Sequence, residues 1–210
     1  MNMKFIGITG GVGAGKSAIL SYMASKPRTK VLLADEIAHQ LMEPGTECYE
    51  KIVEAFSGED ILDIPENVLP DSSQKSPFHR GKLAQVIFSD DEKREKMNAI
   101  VHPAVKEFVR REYEKEQSEN KLDLFVLEAA LLIEENYDEI CDELWYIYTS
   151  EENRRARLKA SRGYSDEKID QIFASQLSEM EFRSATAVTI DNNGMLEETC
   201  QQIEKALRSK

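Results

Sequence analysis

The chain has 210 residues, 41% of them hydrophobic, which suits one globular domain, or one core with insertions, long enough to bury most of its apolar surface. Its formal net charge of −12 argues against a general binder of nucleic acid or of anionic membranes, so an anionic ligand requires a local cluster of cations. Cys48, Cys141 and Cys200 are odd in number, far apart and in no CxxC pair, which argues against a disulfide or zinc framework and suits a reducing cytoplasm.

Residues 5 to 22 open with the apolar run Phe5-Ile6-Gly7-Ile8, a buried strand, followed by a glycine-rich turn and an apolar-spaced helix that starts at Lys16. The run breaks at the glycines too soon for a signal peptide. Gly10-x-x-x-x-Gly15-Lys16-Ser17 fits the phosphate-binding P-loop. The backbone amides of Gly11, Val12, Gly13, Ala14, Gly15, Lys16, Ser17 and Ala18 are the candidate nucleotide contacts. Glycines let successive N–H groups converge on phosphate oxygens, and the following helix adds its positive end. Lys16 can reach the β- and γ-phosphates of a bound nucleotide, and the Ser17 hydroxyl is a candidate Mg²⁺ ligand.

After a break at Pro27-Arg28, Val31-Leu32-Leu33-Ala34 reads as a short buried strand ending at Asp35-Glu36. Ligands of parallel α/β sheets sit beyond the carboxyl ends of the strands, so Asp35 faces the P-loop crevice, caps the helix carrying Ile37, Ala38 and Leu41, or does both. From Pro44-Gly45 to about residue 120 the strand pattern disappears. Thr46 to Phe56 is helical, 59 to 78 reads as a loop, and Leu83–Phe88 and Asp90–Glu116 are helical again, with a kink or break expected at His102-Pro103. This helical insertion, residues 44–120, suits a second substrate.

Leu124 to Glu128 is the next buried strand, again closing on an acid, and Glu128 either serves Mg²⁺ or caps the next segment of chain. The apolar stretch Leu122–Ile133 is too short, and too charged, to span a bilayer. Leu144–Tyr148 and Ala187–Ile190 complete five strands, and a last amphipathic helix from about Met195 turns Leu196, Thr199, Cys200, Ile203 and Leu207 inward. Strands alternating with helices give a three-layer α/β fold with a five-stranded parallel sheet.

The cation cluster lies after the fourth strand. Thr149-x-x-Glu152 has the spacing of a capping box, and Arg154, Arg155, Arg157, Lys159 and Arg162 come next with no acid among them. Gly163 interrupts, and Ser165 caps a further helix. Residues 150–182 thus read as a hinged helical lid over phosphates, arginine being suited by its fixed, planar charge; the alternative is a solvated basic face. The reading as a GTPase fails: no Asn-Lys-x-Asp stands where a guanine would be read, and the sole Asp-x-x-Gly, Asp191 to Gly194, comes after the last strand. The residues themselves point to phosphoryl transfer from ATP to a small acceptor.

The sequence resembles the dephospho-coenzyme A kinases over essentially its whole length. The resemblance rests on Gly7 through Ser17, Ala34-Asp35-Glu36-Ile37-Ala38-His39 with Glu43-Pro44-Gly45, Arg80 with Leu83-Ala84 and Val86-Ile87-Phe88, His102-Pro103, Leu131-Leu132-Ile133-Glu134, Arg157-Leu158, Arg162-Gly163, Gln176, and Ile190-Asp191-Asn192. It implies a P-loop kinase fold over residues 1–210 and transfer of the ATP γ-phosphoryl group to the ribose 3′-hydroxyl of dephospho-coenzyme A. It implies Asp35 beside the acceptor hydroxyl, as base, orienter or Mg²⁺ ligand, with His39, Arg80 and His102 around the coenzyme. Arg157 and Arg162 go to the phosphates and Asn192 near the base. A cytoplasmic monomer without nucleic-acid or membrane partners is the expectation. The chain departs from the family pattern in having Ala130 for a proline, Thr186-Ala187 for Ala-Asp, and Pro77-Phe78-His79 in place of a glycine near Arg80. The rival readings are a kinase for another acceptor, such as a nucleoside monophosphate, and a nucleotide-binding regulatory module.

Overall fold

A computed structural model describes residues 3–63 and 76–208; most of the 59–78 loop therefore lies outside the described residues. The chain divides into two compact units, Met1–Leu33 with Tyr113–Lys210, and Ala34–Glu112.

The first unit is built on five parallel strands, β1 (Lys4–Thr9), β2 (Thr29–Leu33), β3 (Leu124–Glu128), β4 (Glu143–Tyr148) and β5 (Val188–Asp191), in the order β2-β3-β1-β4-β5. The central strands are apolar between their end residues because both faces are covered. On one face Ile6, Ile8, Val126, Trp145, Ile147 and Ile190 pack with Ile19 and Met23 of α1 (Lys16–Ala24) and with Ile203 of the C-terminal helix Leu196–Arg208. On the other, the Phe5 ring packs on Phe125 and stacks on Tyr113, while Tyr146 stacks on Phe182 at 4.7 Å. Three layers result. β2, expected to be buried, is half-exposed along its whole length because it is an edge strand. Leu196, expected to point inward, is exposed at the first position of its helix, whereas Thr199 and Ile203 are buried.

The second unit holds α2 (Ala34–Leu41), α3 (Glu47–Ala55), α4 (Arg80–Phe88) and the first part of α5 (Asp91–Glu119). The expected break at Pro103 does not occur: α5 runs on through it. Met97, Val101, Val105 and Val109, four residues apart, form one buried stripe on both sides of the proline. Their burial, about 1.5–3 kcal/mol for each such side chain, outweighs the roughly 3 kcal/mol that an interior proline costs.

The remaining helices belong to the first unit: α6 (Glu151–Arg162), α7 (Asp166–Ala174), α8 (Glu179–Ala185) and α9, the C-terminal helix named above. No helix among the described residues is long and apolar enough to cross a membrane.

Candidate active site

The loop Gly10–Gly15 joins β1 to α1. Gly13 and Gly15 have φ of 84° and 83°, a left-handed conformation that side chains resist, so the motif's glycines are required by the path of the chain. Five other helices begin under a side-chain cap, from Thr46, His79, Ser150, Ser165 and Ser178. α1 begins at Gly15 with no side-chain cap and no acid in its first turn. A helix N-terminus that no side chain caps attracts an anion. Ser17 and Ala18, in that first turn, are exposed.

Lys16 lies across this opening. Its Nζ donates to the Gly10 carbonyl oxygen at 2.6 Å and stands 3.5 Å from Oε1 of Glu128, the last residue of β3. The register explains the meeting: Glu128 is paired with Ile8 on one side and Leu33 on the other, so the acid ends its strand beside the start of the P-loop. Among the described residues no group of three or more His, Cys, Asp and Glu side chains could hold a metal ion. Mg²⁺ needs less, since it binds through one or two protein oxygens together with phosphate oxygens and water. The Ser17 hydroxyl and the Glu128 carboxylate are hard oxygen donors of that kind, at the right element ends, and they fit such an ion.

The far side of the loop is clamped. The carbonyl oxygen of Ala14 accepts from Thr149 Oγ1 at 3.0 Å, from Asn192 Nδ2 at 2.7 Å and from Arg157 Nη1 at 3.2 Å. Arg157 Nη2 also donates to the Asn192 carbonyl at 2.8 Å, so one guanidinium spans the P-loop and the loop after β5. Asn192 and Thr149 are buried, and Asn192 Oδ1 accepts in turn from Thr199 Oγ1 at 3.0 Å. Arg157 and Asn192, both expected at the nucleotide, therefore meet each other, and these hydrogen bonds are made to protein atoms. Thr149, expected to cap α6, is occupied here instead. Ser150 is the cap, accepting from the Asn153 amide at 3.3 Å.

The basic helix α6 sorts its cations by face. Arg154, Arg157 and the buried Leu158 share the inward face, as residues three and four apart must. Arg155 and Lys159 turn outward to acids: Arg155 to Glu151, Asp166 and Asp170, and Lys159 to Asp166. Its hydrogen bonds to the Asp170 and Asp166 carboxylates raise the Arg155 pKa above its ordinary value. Arg162 ends the helix, exposed, beside Gly163 at φ 62°. Its guanidinium is 5.8 Å from the Tyr164 ring. Arg154, absent from the expected site, donates through Nε to the Val12 carbonyl at 2.9 Å, and through Nη2 to Gln176 Oε1. Helical spacing from the buried Leu158 is the sequence signal that would have found it.

In the helical unit, Asp35 lies in the first turn of α2, and His39 stands four residues later on the same face; both are exposed. Arg80 is the first residue of α4, exposed, behind an N-cap formed by His79 Nδ1, which accepts from the Lys82 amide at 3.2 Å. His102 lies half-buried within α5. One further motif is settled by position. Asn120-Lys121-Leu122-Asp123 has the guanine-reading spacing Asn-Lys-x-Asp, but it leads into the start of β3, where Leu124 pairs with Lys4. That is the end of the sheet away from the P-loop.

Comparison with known proteins agrees with this arrangement. A family model described as dephospho-CoA kinase matches residues 4–198. A dephospho-CoA kinase of Symbiobacterium thermophilum is 36% identical over 207 residues, covering 99% of this chain and 81% of its own length. One from Oceanobacillus iheyensis is 34% identical, covering 97% and 96%. A crystal structure of a Thermus thermophilus protein superposes with a TM-score of 0.72 at 27% identity, covering 99% of this chain and 97% of its own. The dephospho-CoA kinase of Campylobacter jejuni, at 22% identity and TM-score 0.66 over 97% and 95%, shares the fold. With the family model matched from Lys4 to Glu198 and relatives above 30% identity along nearly the whole chain, this protein belongs to the dephospho-CoA kinase family.

Proposed function

We propose that the Gly10–Ser17 loop holds the phosphates of ATP while Asp35 addresses the ribose 3′-hydroxyl of dephospho-coenzyme A, giving coenzyme A and ADP. The observation that carries this reading is the uncapped, acid-free start of α1 with Lys16 lying across it. The hydroxyl oxygen forms the new bond to the γ-phosphorus as the bond to the ADP oxygen breaks, and the Asp35 carboxylate orients the hydroxyl and takes its proton. Such transfer depends on positioning and on stabilising charge, with little covalent work for the protein.

Lys16 leaves Gly10 and Glu128 for the β- and γ-phosphates. Mg²⁺, when bound, neutralises phosphate charge, and Ser17 and Glu128 are the residues that would hold it. Arg157 serves the nucleotide by fixing Ala14 and Asn192, and Asn192 stands at the base. His39, together with Arg80 and His102 of a helical insertion spanning residues 44–120, binds the coenzyme. Residues 150–182 act as the lid, through which Arg162 reaches the phosphates on closure. The chain works as a monomer, and its net charge of −12 disfavours nucleic acid as a partner.

ADP release measured with and without dephospho-coenzyme A tests the assignment. Release should depend strongly on that acceptor and little on AMP, CMP or shikimate; equal turnover with any of those three overturns it. Elution as a monomer in size-exclusion chromatography checks the oligomeric state.

A further inference from the structure

Gln176, in the segment between α7 and α8, places its Oε1 between two donors: the Val12 amide at 3.3 Å and Nη2 of Arg154. A P-loop N–H and a guanidinium converging on one oxygen is the donor pair that a phosphate oxygen would meet. Arg154 is tied to the loop at the same place. Its Nε donates to the Val12 carbonyl, its guanidinium lies 4.2 Å from the Phe173 ring, and it covers Gly11 so closely that a methyl group there would overlap it.

The hydrogen-bond partners of this guanidinium, the Val12 carbonyl and the Gln176 amide oxygen, are uncharged, whereas its neighbour Arg155 is met by three carboxylates. Burial pulls the Arg154 pKa below its ordinary value, against smaller opposing contributions from Tyr146 and Glu151. The charge at the front of the loop is therefore available to a ligand.

We propose that Gln176 Oε1 marks the subsite of an ATP γ-phosphate oxygen, with Val12 N–H and Arg154 as its donors and the Gln176 side chain as an occupant that nucleotide displaces. The inference rests on the reading of Gly10–Ser17 as the ATP site. The γ-phosphate is assigned because the loop amides nearer α1 cradle the phosphates closer to the nucleoside, which leaves the front of the loop to the terminal group that Lys16 also reaches. Arg154 then has two roles: in the empty site it holds the P-loop to the lid through Gln176, and in the filled site it donates directly to the transferring group.

Equilibrium binding of ATP and ADP to the full chain tests this without turnover. Gln176→Glu, nearly isosteric, places a carboxylate on the subsite and should weaken ATP binding roughly ten- to a hundredfold while changing ADP binding far less. Gln176→Leu removes the competing oxygen and should tighten ATP binding a few-fold. Arg154→Gln should weaken ATP more than ADP, and Arg154→Lys should recover part of the loss. If Gln176→Leu weakens ATP as much as Gln176→Glu does, the side chain is only structural support and the proposal falls. It falls equally if the Arg154 variants bind ATP and ADP with unchanged preference. A wild-type chain that binds neither nucleotide would instead overturn the reading of the ATP site.

Discussion

Lys16 and Glu128 stand 3.5 Å apart, both side chains less than a fifth exposed, at the point where β1 and β3 end side by side. In the proposed function the lysine leaves this partner for a phosphate, and the Glu128 carboxylate would serve Mg²⁺. Glu128→Gln should therefore cost less in kcat than Asp35→Asn and should raise the Mg²⁺ concentration needed for half-maximal rate. Asp35→Asn keeps the size but cannot take the proton, and should lower kcat by about 10²- to 10⁴-fold with ATP binding retained. Mg²⁺ titrations of kcat for the two variants make the comparison. An Asp35→Asn enzyme within a few-fold of wild type would reduce that residue to a helix-terminal acid.

Arg157→Lys keeps the charge but cannot span Ala14 and Asn192 with one fork. Losing two hydrogen bonds of about 1 kcal/mol each should lower Tm by roughly 4–8 °C for a chain of this size. ATP affinity should fall with it, because the P-loop and the loop after β5 lose their common brace. Thermal melts with and without ATP check this. An unmoved Tm with weakened ATP binding would make Arg157 a direct phosphate ligand and not a brace.

Arg162 ends α6 in solvent, next to the left-handed Gly163, with its guanidinium near the Tyr164 ring. If closure of the lid carries it to the phosphates, Arg162→Ala should lower kcat more than it weakens ATP binding. Steady-state kinetics alongside equilibrium ATP binding separate the two. Unchanged kcat would leave Arg162 as a solvated cation.

Tyr137 is buried beside the turn that precedes β4, and burial, with a smaller contribution from Glu135, pushes its hydroxyl up to about 12. The folded pKa is raised, so the stabilisation is complete below the unfolded value near 10 and is lost as pH rises through about 12. Unfolding free energy measured from pH 9 to 12 should fall with pH in wild type and fall less steeply in Tyr137→Phe. Parallel curves for the two would show that another group governs the alkaline loss.

Much of this was legible in the sequence because the chemistry is local. Phe5–Ile8, Leu124–Leu127 and Leu144–Ile147 announce buried parallel strands by unbroken apolar runs, and the glycines with Lys16 and Ser17 announce the phosphate cradle between strand and helix. β2 looks the same in composition, but which strand lies at an edge depends on the order of pairing, which no local pattern encodes. Pro103 reads as a kink or break until the stripe from Met97 to Val109 is weighed against it. The basic run after β4 was visible as charge, yet the division of labour within it was not. Arg154 meets Gln176 from 22 residues away, and Arg157 meets Ala14 from 143, so only tertiary structure separates clamp, latch and surface.

The strand order β2-β3-β1-β4-β5 has a consequence for how the chain is assembled. β1 and β2 are consecutive in sequence but never touch; β3 lies between them and pairs with both, Lys4 with Leu124 on one side and Thr29 with Leu124 on the other. As the polypeptide emerges, its first two strands have no mutual edge to form. They must wait while the whole helical excursion from Ala34 to Glu112 is made, until Leu124–Glu128 slots in as a keystone. Closing so distant a pairing is entropically slow, so the helical unit has time to fold first and the phosphate loop is fixed late. A nascent chain stopped before Leu124 should carry helices but no native sheet.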